Sequence, residues 1–268
     1  MQPGSPELPA IVTLTTDFGT SDAFVGSMKG VIMSRCPGAA VVDITHDVPA
    51  HNIRAGALRL ASAAHFFPDG TVHVAVVDPG VGGPRRAIAI EAQGQRFVGP
   101  DNGVLSLAAP RGAAGWRAVE LTNRAHWLPE VSNTFHGRDV FAPVAAHLAC
   151  GGDLQALGAL SDSIHELQLP VPELRGDHVA GAVLDVDRFG NLISNIRARQ
   201  LGGRTVVRVE VGGASIDGLS GAYGPAQPLV ALEDSDGWIE IAAPGGSAAA
   251  RLGVGVDDPV DVYLAPLT

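Results

Sequence analysis

The chain has 268 residues, of which 46% are hydrophobic and 17% are charged, a composition too apolar for a disordered protein. Its 18 basic residues against 28 acidic ones give a formal net charge of −10, which disfavours a nucleic-acid-binding surface. Aromatic residues make up only 5% of the chain, too few for a platform on which bases stack.

The N-terminal segment and the two cysteines indicate in which cellular compartment the protein is expected. The first ten residues include Glu7 and no basic residue, and no apolar stretch follows, so a signal peptide is not expected. No apolar run approaches the ~20 residues that a membrane span needs. Cys36 and Cys150 lie far apart in segments that read as helical, without a CxxC neighbour. We therefore expect two small buried hydrophobes rather than a disulfide or metal pair, in a cytoplasmic protein that binds no membrane.

The first half of the chain alternates short apolar runs with helical patterns. This alternation is typical of an α/β domain with a mostly parallel sheet. The predicted strands cover residues 11–15, 40–44, 71–77 and 87–91. The predicted helices run from just after Asp22 to the Pro37-Gly38 pair, and over residues 53–65 and 138–150.

The second half has a different pattern. Residues 168–176 are rich in proline and form a predicted linker between an N-terminal α/β domain, 1–167, and a C-terminal β domain, 177–268. Helical periods nearly vanish after this linker. The predicted strands are 182–186, 192–196, 206–211, 238–242 and 260–265, which indicates a small antiparallel barrel-like domain or a sandwich.

Two aspartates follow predicted strands of the α/β domain directly, where open α/β sheets bind ligands. Asp17, in TTDFG, can accept two hydrogen bonds from a diol such as a ribose, although an aspartate here is also a common turn or N-cap residue. Asp78 opens the segment DPGVGGPRR, whose two prolines and three glycines can return Arg85 towards it. An Asp-Pro-Gly turn can also be purely structural.

A third candidate is His136, in TFHGRD. Histidine is the side chain most easily poised near neutral pH, and Gly137 beside it permits close approach of a ligand. A lone histidine in a loop is more often simply solvated. The other eight histidines lack such neighbours and are interpreted as structural; they are His46, His51, His65, His73, His126, His147, His165 and His178.

Five motifs, none decisive alone, occur together in this chain. In chain order they are TTDFG with Asp17, VVDPGVGGPRRAI with Asp78 and Arg85, PDNG at 100–103, TFHGRDVFAP with His136, and DRFGN with Asp187 and Asn191. In this combination they closely resemble the S-adenosyl-L-methionine hydroxide adenosyltransferases, relatives of the fluorinase and chlorinase enzymes. The resemblance extends from about residue 11 to residue 264.

The resemblance implies an activity and a catalytic set. Members of the family hydrolyse S-adenosyl-L-methionine to adenosine and L-methionine, with no metal and no cofactor beyond that substrate. By the same resemblance, Asp78, Arg85 and His136 hold and activate the attacking water. His136 accepts or relays its proton, Arg85 favours hydroxide character, and Asp78 orients the water or the other two side chains. A carboxylate in this position also repels a halide ion, which argues for water as the nucleophile.

The resemblance further implies substrate-binding residues. These are Asp17 for the ribose hydroxyls, Asp22 and Phe24 near the methionine part, Gly137 beside the catalytic histidine, Asp187, Phe189 and Asn191 on the turn of the β domain, Ser235 for the methionine carboxylate, and Ala243 and Gly245 for the adenine edge. One position departs from the pattern: Asp236 stands where the fluorinase has an arginine. This mismatch weakens Ser235 as a carboxylate-binding residue, and an arginine from elsewhere in the chain can take the role.

Several alternatives stay open at this point. The PDNG motif, with Asp101 and Asn102, is either part of the site or a common turn. The same pocket could retain adenosine or S-adenosyl-L-methionine in a sensor with little turnover. A metal hydrolase would use Asp17, Asp78, Asp101 and His136, but the chain has no tight ligand pair such as HxxxH. Family members are homotrimers with sites formed between subunits, so the resemblance also implies self-association.

Overall fold

The structure is a computed structural model that describes residues 9–224 and 227–266. The chain divides into two compact units, Met1–Leu167 and Gln168–Thr268. Each unit has its own hydrophobic core.

The first unit is built on a seven-stranded sheet in the order β2-β1-β3-β5-β4-β6-β7. The strands are β1 Ile11–Thr16, β2 Ala40–Thr45, β3 Val72–Val76, β4 Ala87–Ala92, β5 Gln95–Pro100, β6 Arg117–Glu120 and β7 Ala159–Ser161. The pairs β1–β2, β1–β3 and β3–β5 are parallel, and the remaining pairs are antiparallel. The predicted α/β architecture is confirmed, with a mixed sheet.

The antiparallel part of this sheet begins at a tight hairpin between β4 and β5. Ala92 pairs with Gln95, so the loop has only two residues, and both Gln93 and Gly94 have positive φ. This is the backbone that two-residue hairpins require. The sequence reading missed β5 because its residues, QRFVGP, mix polar, glycine and proline positions among the apolar ones.

Helices cover both faces of the sheet. They are α1 Phe24–Arg35, α2 Ile53–Ala64 and α3 Ala142–Ala149, and a π-helix, Gly137–Phe141, leads directly into α3. Alternate residues of β3 serve the two layers: Val72, Val74 and Val76 pack in the core of α1 and α3, while Ala75 and its neighbours pack in the core of α2. No helix among the described residues is long and apolar enough to cross a membrane.

The expectation for the cysteines is wrong. Cys36 caps the C-terminal end of α1, Cys150 caps that of α3, and the two form a disulfide with a Cα–Cα distance of 5.8 Å. The helices pack in the same layer, so their ends meet although the cysteines are 114 positions apart in the sequence. As a disulfide pair, the two cysteines no longer favour the cytoplasmic location that was expected.

The second unit is an antiparallel, nearly closed barrel-like sheet, as predicted. Its strands are β8 Glu173–Arg175, β9 His178–Val186, β10 Leu192–Arg197, β11 Val206–Val211, β12 Ala214–Asp217, β13 Val230–Glu233, β14 Trp238–Ala242 and β15 Pro259–Leu264. Their order is β12-β11-β15-β9-β10-β14-β13, with β8 paired to β9. A short helix, α4 Ala248–Leu252, precedes β15. The strand β8 lies within the segment 168–176 that the sequence marks as a linker.

Candidate active site

Two strands of the first unit end in aspartates at the same edge of the sheet. β1 and β3 run parallel, and Thr16 is opposite Val76 at the end of their pairing. Asp17 follows β1 directly, and Asp78 follows β3 after one residue. Because the carboxyl ends of parallel strands are the usual ligand-binding edge of an open α/β sheet, both aspartates lie where a ligand can be reached.

Arg85 folds back onto Asp78 across the glycine-rich loop. Its Nε donates to Asp78 Oδ1 at 3.0 Å, and its Nη2 donates to Asp78 Oδ2 at 2.5 Å. The two side chains are only 11% and 4% exposed, respectively. A bidentate pair that is this buried holds both groups in one geometry. The structure therefore brings together two of the three residues implied as catalytic.

Gly82 allows this loop to pack on the segment that precedes His136. Its φ is +73°, and a Cβ atom there would lie 2.2 Å from the carbonyl oxygen of Asn133. Both the conformation and the contact exclude a side chain at this position. The loop of Asp78 and Arg85 is thereby packed against the chain that carries the third residue.

His136 stands immediately before the π-helix and completes the cluster. Arg85 Nη2 lies 2.8 Å from His136 Nδ1. A guanidinium group has no acceptor, so Nδ1 accepts this hydrogen bond and the neutral ring carries its proton on Nε2. Burial first, and then the charge of Arg85, lower the pKa of His136, while Asp78 and Asp139 act in the opposite direction. The lowered pKa favours the neutral imidazole, which presents its N–H group on the side away from Arg85.

Asp139 holds the loop that carries His136, and the sequence analysis did not single it out. This side chain is fully buried. Its Oδ2 accepts the backbone N–H of Ser132 at 2.8 Å, and its Oδ1 accepts Arg138 Nε at 2.6 Å. Its carbonyl oxygen accepts the N–H of Leu128 at 2.9 Å. The carboxylate and the carbonyl oxygen of this one buried residue therefore hold the two ends of the loop together.

We expect Asp139→Asn to move the titration of His136 to lower pH. The negative charge of Asp139 favours the imidazolium form, so its removal leaves desolvation and Arg85 to depress the pKa further. NMR titration of the His136 ring measures the change. The pKa of His126, whose shift does not depend on Asp139, is the internal control. An unchanged or higher value for His136 would contradict this electrostatic role.

Asp17 is held by the chain that enters α2. Its Oδ2 accepts the backbone N–H of His51 at 2.8 Å, and its side chain is only 9% exposed. His51 adopts φ +65°, a conformation that non-glycine residues rarely take, and its ring is largely exposed. The carboxylate keeps a second oxygen for a ligand, as recognition of a diol needs.

The remaining site residues implied for the first unit lie around an aromatic cluster. Phe18, Phe24 and Phe135 have ring centroids 5.1 to 5.9 Å apart. A Cβ atom at Gly137 would lie 3.2 Å from the ring of Phe135, so glycine lets this cluster close on the π-helix. Asp22 is exposed just before α1 and is not itself part of this aromatic cluster.

The PDNG motif supports the site rather than forming it. Asp101 accepts two hydrogen bonds from Arg86, at 2.8 and 2.5 Å, and one from the backbone N–H of His165 at 2.6 Å. Asn102 Nδ2 donates to the carbonyl oxygen of Val77 at 2.8 Å, directly before Asp78. The amide therefore fixes the backbone from which Asp78 projects.

In the second unit, Asp187 organises the turn between β9 and β10. Its Oδ1 accepts the backbone N–H groups of Phe189 and Asn191, both at 2.8 Å, and its Oδ2 accepts Asn191 Nδ2 at 2.9 Å. The Asn191 amide nitrogen is thus engaged, which leaves its Oδ1 as the acceptor. The Phe189 side chain is 76% exposed on this turn.

This turn borders a largely apolar cavity of about 710 Å³. Its walls are Phe189, Asn191, Tyr223, Ala242, Ala243, Pro244, Gly245 and Gly246. Four of the residues that the resemblance implied as substrate-binding are therefore in one place. The sequence analysis missed Tyr223 among them.

Tyr223 is oriented by a buried carboxyl group. Its hydroxyl donates to Glu240 Oε1 at 2.8 Å, and Glu240 is only 4% exposed. Desolvation raises the pKa of Glu240, and it also raises the pKa of Tyr223 to about 12. A glutamate in the middle of the apolar strand WIEIA is the sequence signal that could have revealed this pair.

An arginine from another strand contacts the turn that contains Ser235. Ser235 is exposed, and Asp234 Oδ1 closes the turn by accepting the N–H groups of Asp236 and Trp238 at 2.8 Å. Arg197, at the end of β10, donates from Nη1 to the carbonyl oxygen of Asp236 at 2.8 Å and stacks over the Trp238 ring. A guanidinium group is therefore present at the turn where the residue at 236 does not supply one.

No group of three or more His, Cys, Asp or Glu residues in 9–224 and 227–266 is arranged to hold a metal ion.

Two family profiles match the chain. The SAM hydroxide adenosyltransferase N-terminal domain matches residues 12–158, and the SAM hydroxide adenosyltransferase C-terminal domain matches residues 181–261.

Similar proteins cover almost the whole chain. The (R)-S-adenosyl-L-methionine hydrolase of Salinispora tropica is 44% identical over 94% of this chain and 97% of its own length, and that of Thermus thermophilus is 40% identical over 93% and 98%. A fluorinase of an Actinoplanes species is 31% identical over 71% and 73%. The crystal structure of an uncharacterized conserved protein from Thermotoga maritima superposes with a TM-score of 0.86 at 38% identity, covering 94% of this chain and 99% of that one. On these matches and on its two-unit fold, the chain belongs to the SAM hydroxide adenosyltransferase family.

Proposed function

We propose that this chain hydrolyses S-adenosyl-L-methionine to adenosine and L-methionine, and that it acts on the epimer with the (R) configuration at sulfur. The observation that carries the proposal is the buried contact of Asp78, Arg85 and His136 at the ligand-binding edge of the sheet. A pocket that only retained adenosine would need none of these three groups. The epimer follows from the names of the relatives that cover nearly the whole chain.

The chemistry needs a well-placed water more than it needs an acid. C5′ of the substrate carries a sulfonium, which leaves as a neutral thioether with the electron pair of the broken C–S bond. The water oxygen forms the new bond to C5′ and loses one proton. Fixing a desolvated water in line with the C–S bond supplies several kcal/mol of the barrier reduction, on the order of the effects known for oriented reactants.

The tautomer of His136 assigns the roles. Because Nδ1 accepts from Arg85, the free Nε2–H of the neutral ring donates to a water and cannot take its proton. The Asp78 carboxylate is then the acceptor towards which the O–H of that water points. The family resemblance implies that His136 accepts or relays the proton, whereas the hydrogen bonds favour Asp78 as acceptor and His136 as the donor that orients the water.

We expect no halogenated product and no rate gain when chloride or fluoride is added. The Asp78 carboxylate is 4% exposed, and repulsion of an anion is strongest in such a water-poor position. Chromatography of reactions at matched ionic strength, with acetate as the control anion, measures both quantities. Detection of a 5′-halo-adenosine would overturn water as the nucleophile.

Each unit has groups that suit one part of the substrate's nucleoside. The Asp17 carboxylate suits the ribose diol. The cavity of the second unit, with two exposed aromatic rings and the backbone of residues 243–246, suits the flat adenine ring. Within it, Asn191 Oδ1 suits the exocyclic amino group, because its Nδ2 is already held by Asp187.

We expect Arg197→Ala to raise KM for the substrate about tenfold or more with little change in kcat. The guanidinium of Arg197 at the Ser235 turn suits the methionine carboxylate, which is remote from the reacting C–S bond. Arg199→Ala removes a nearby positive charge outside this turn and is the matched control. A fall in kcat at unchanged KM would contradict a role in carboxylate binding.

Incubation of the purified chain with each sulfur epimer tests the function. We expect adenosine and methionine in equal amounts from the (R) epimer, with and without a chelator. Absence of release above the buffer rate, with tight binding of adenosine, would overturn hydrolysis in favour of a binding or sensing protein. Faster turnover of the other epimer would overturn only the stereochemical assignment.

Self-association and cellular location belong to the same proposal. We propose a homotrimer, by resemblance to the family, and sedimentation or native mass spectrometry tests it. A monomer that hydrolyses the substrate at full rate would exclude the trimer as the working form. The cytoplasmic location expected from the sequence is tested by fractionation of the source cells.

A further inference from the structure

The first unit has a cavity of its own, whose walls include no residue of the loops of Asp17 and Asp78. It has a volume of about 440 Å³. Its walls are Arg35, Ala125, His126, Pro143, Ala146, His147, Cys150, Gly151 and Gly152. None of these residues belongs to the proposed catalytic cluster. Cys150, one of the two cysteines of the disulfide, is part of this wall.

The two halves of the disulfide are unequally accessible. Cys36 is 3% exposed and does not line the cavity. Cys150 is exposed, lines the cavity and is followed by two glycines that carry no side chain to cover it. Thiol–disulfide exchange proceeds by attack of a thiolate on one sulfur, and access decides which sulfur is attacked. A thiol in the cavity therefore meets Cys150, and Cys36 becomes the leaving group.

The charge of the cavity favours an anionic thiol. Arg35 is fixed on the wall, because its Nη1 and Nη2 donate to the carbonyl oxygens of His126 and Trp127 at 2.9 and 2.8 Å. Among the residues that the structure describes, no aspartate or glutamate lines the cavity. Burial and the neighbouring His147 and Arg35 lower the pKa of His126, so the guanidinium is the positive charge that an entering thiolate meets.

We propose that Cys150 is a thiol-exchange site for a small thiol that carries carboxylate groups. The thiolate attacks Cys150 Sγ, a mixed disulfide forms on Cys150, the Cys36–Cys150 bond breaks, and Cys36 leaves as a thiolate that takes up a proton. A second thiol then attacks the mixed disulfide. This step releases the free Cys150 thiol and the disulfide of the small thiol, so that two small thiols supply the two electrons.

Thiol exchange breaks a covalent link between two helices of the first unit. The disulfide joins the C-terminal ends of α1 and α3 and closes a loop of 114 positions. Opening it removes the covalent tie between these helices while the hydrogen bonds of the catalytic cluster, which involve neither cysteine, stay in place. The thiol environment thereby sets the stability of the first unit.

Peptide mapping of the unmodified, oxidised chain tests the proposal. The chain is incubated with reduced glutathione or, at equal thiolate concentration, with the cationic thiol cysteamine, and trapped in acid. We expect the mixed disulfide on the peptide of Cys150 and not on that of Cys36. Relative to a small reference disulfide, glutathione should react faster than cysteamine. Modification of Cys36, no exchange under conditions that reduce the reference, or a preference for cysteamine would overturn the site or its charge preference.

Two single variants give a matched comparison. Cys36→Ala leaves the Cys150 thiol, and Cys150→Ala leaves the Cys36 thiol. We expect iodoacetamide to alkylate the Cys150 thiol about tenfold faster or more, because access to the sulfur limits the rate. Equal rates would contradict the proposed asymmetry. Since the mapping uses the unmodified chain, a variant that does not fold leaves the test in place.

Discussion

The His136→Ala variant is expected to hydrolyse S-adenosyl-L-methionine about a hundredfold more slowly than the wild-type chain, the usual cost of removing a hydrogen-bond donor placed for the transition state. The ring of His136 is fixed by Arg85 through Nδ1, so the group lost from the site is the Nε2–H. Binding of adenosine should persist, because the adenine pocket proposed for the second unit is unchanged. Steady-state kinetics and adenosine titration measure the two effects.

A second substitution at this position distinguishes a donor from a base. Glutamine carries an N–H donor but no group that accepts a proton near neutral pH. If His136 orients the water by donation, His136→Gln retains part of the activity and loses the fall in kcat at acid pH. That fall reflects protonation of the ring at Nδ1, which breaks the hydrogen bond from Arg85 that holds the Nε2–H in place. It lies below the ordinary pKa of histidine because burial and Arg85 lower the pKa of His136. Activity of His136→Gln equal to that of His136→Ala would favour proton transfer to the ring instead.

Reduction of the Cys36–Cys150 disulfide is expected to lower the free energy of unfolding of the first unit by about 3–5 kcal/mol. A cross-link that spans 114 positions restricts the unfolded chain strongly, and loops of about 100 residues are predicted to contribute at the upper end of this range. Urea unfolding with and without reductant measures the loss. In a Trp238→Phe background, fluorescence reports on the first unit alone, because Trp116 and Trp127 both lie there.

The control for this experiment is the double variant Cys36→Ala with Cys150→Ala. It should unfold at the same urea concentration with and without reductant, close to the reduced wild-type chain. An identical midpoint for oxidised and reduced wild type would contradict the stabilising role. A loss seen equally in the double variant would assign the effect to the reductant and not to the disulfide.

Local patterns were sufficient for most elements of the fold. The apolar residues of β11 and β14 predict strands over 206–211 and 238–242, and the structure gives the same bounds. The helix predicted over 53–65 was recognisable from its helical pattern, and in the structure the Asn52 side chain caps it by accepting the N–H of Ala55. The alternation of apolar residues does not reveal β5. This short strand contains glycine and proline, and it is stabilised by its pairing with β3 and β4.

Some residues of the candidate site could also be recognised from local patterns, and others could not. Asp17, Asp78 and Asp187 could be recognised because each stands in a motif directly after an apolar strand. Asp139 and Arg197 could not, because their roles depend on partners that no local pattern specifies. Arg197, for example, reaches the turn of Asp236 from a position 39 residues away.

The sequence by itself determined the fold class, the family resemblance and the aspartates at the sheet edge, because periodicity and motif order are local properties of the chain. The tertiary structure decided which of those groups touch, since Asp78, Arg85 and His136 meet only when the glycine-rich loop packs on the segment before the π-helix. It also decided the state of the two cysteines. Two thiols 114 positions apart become one disulfide because α1 and α3 end side by side, a proximity set by helix packing and not by sequence separation.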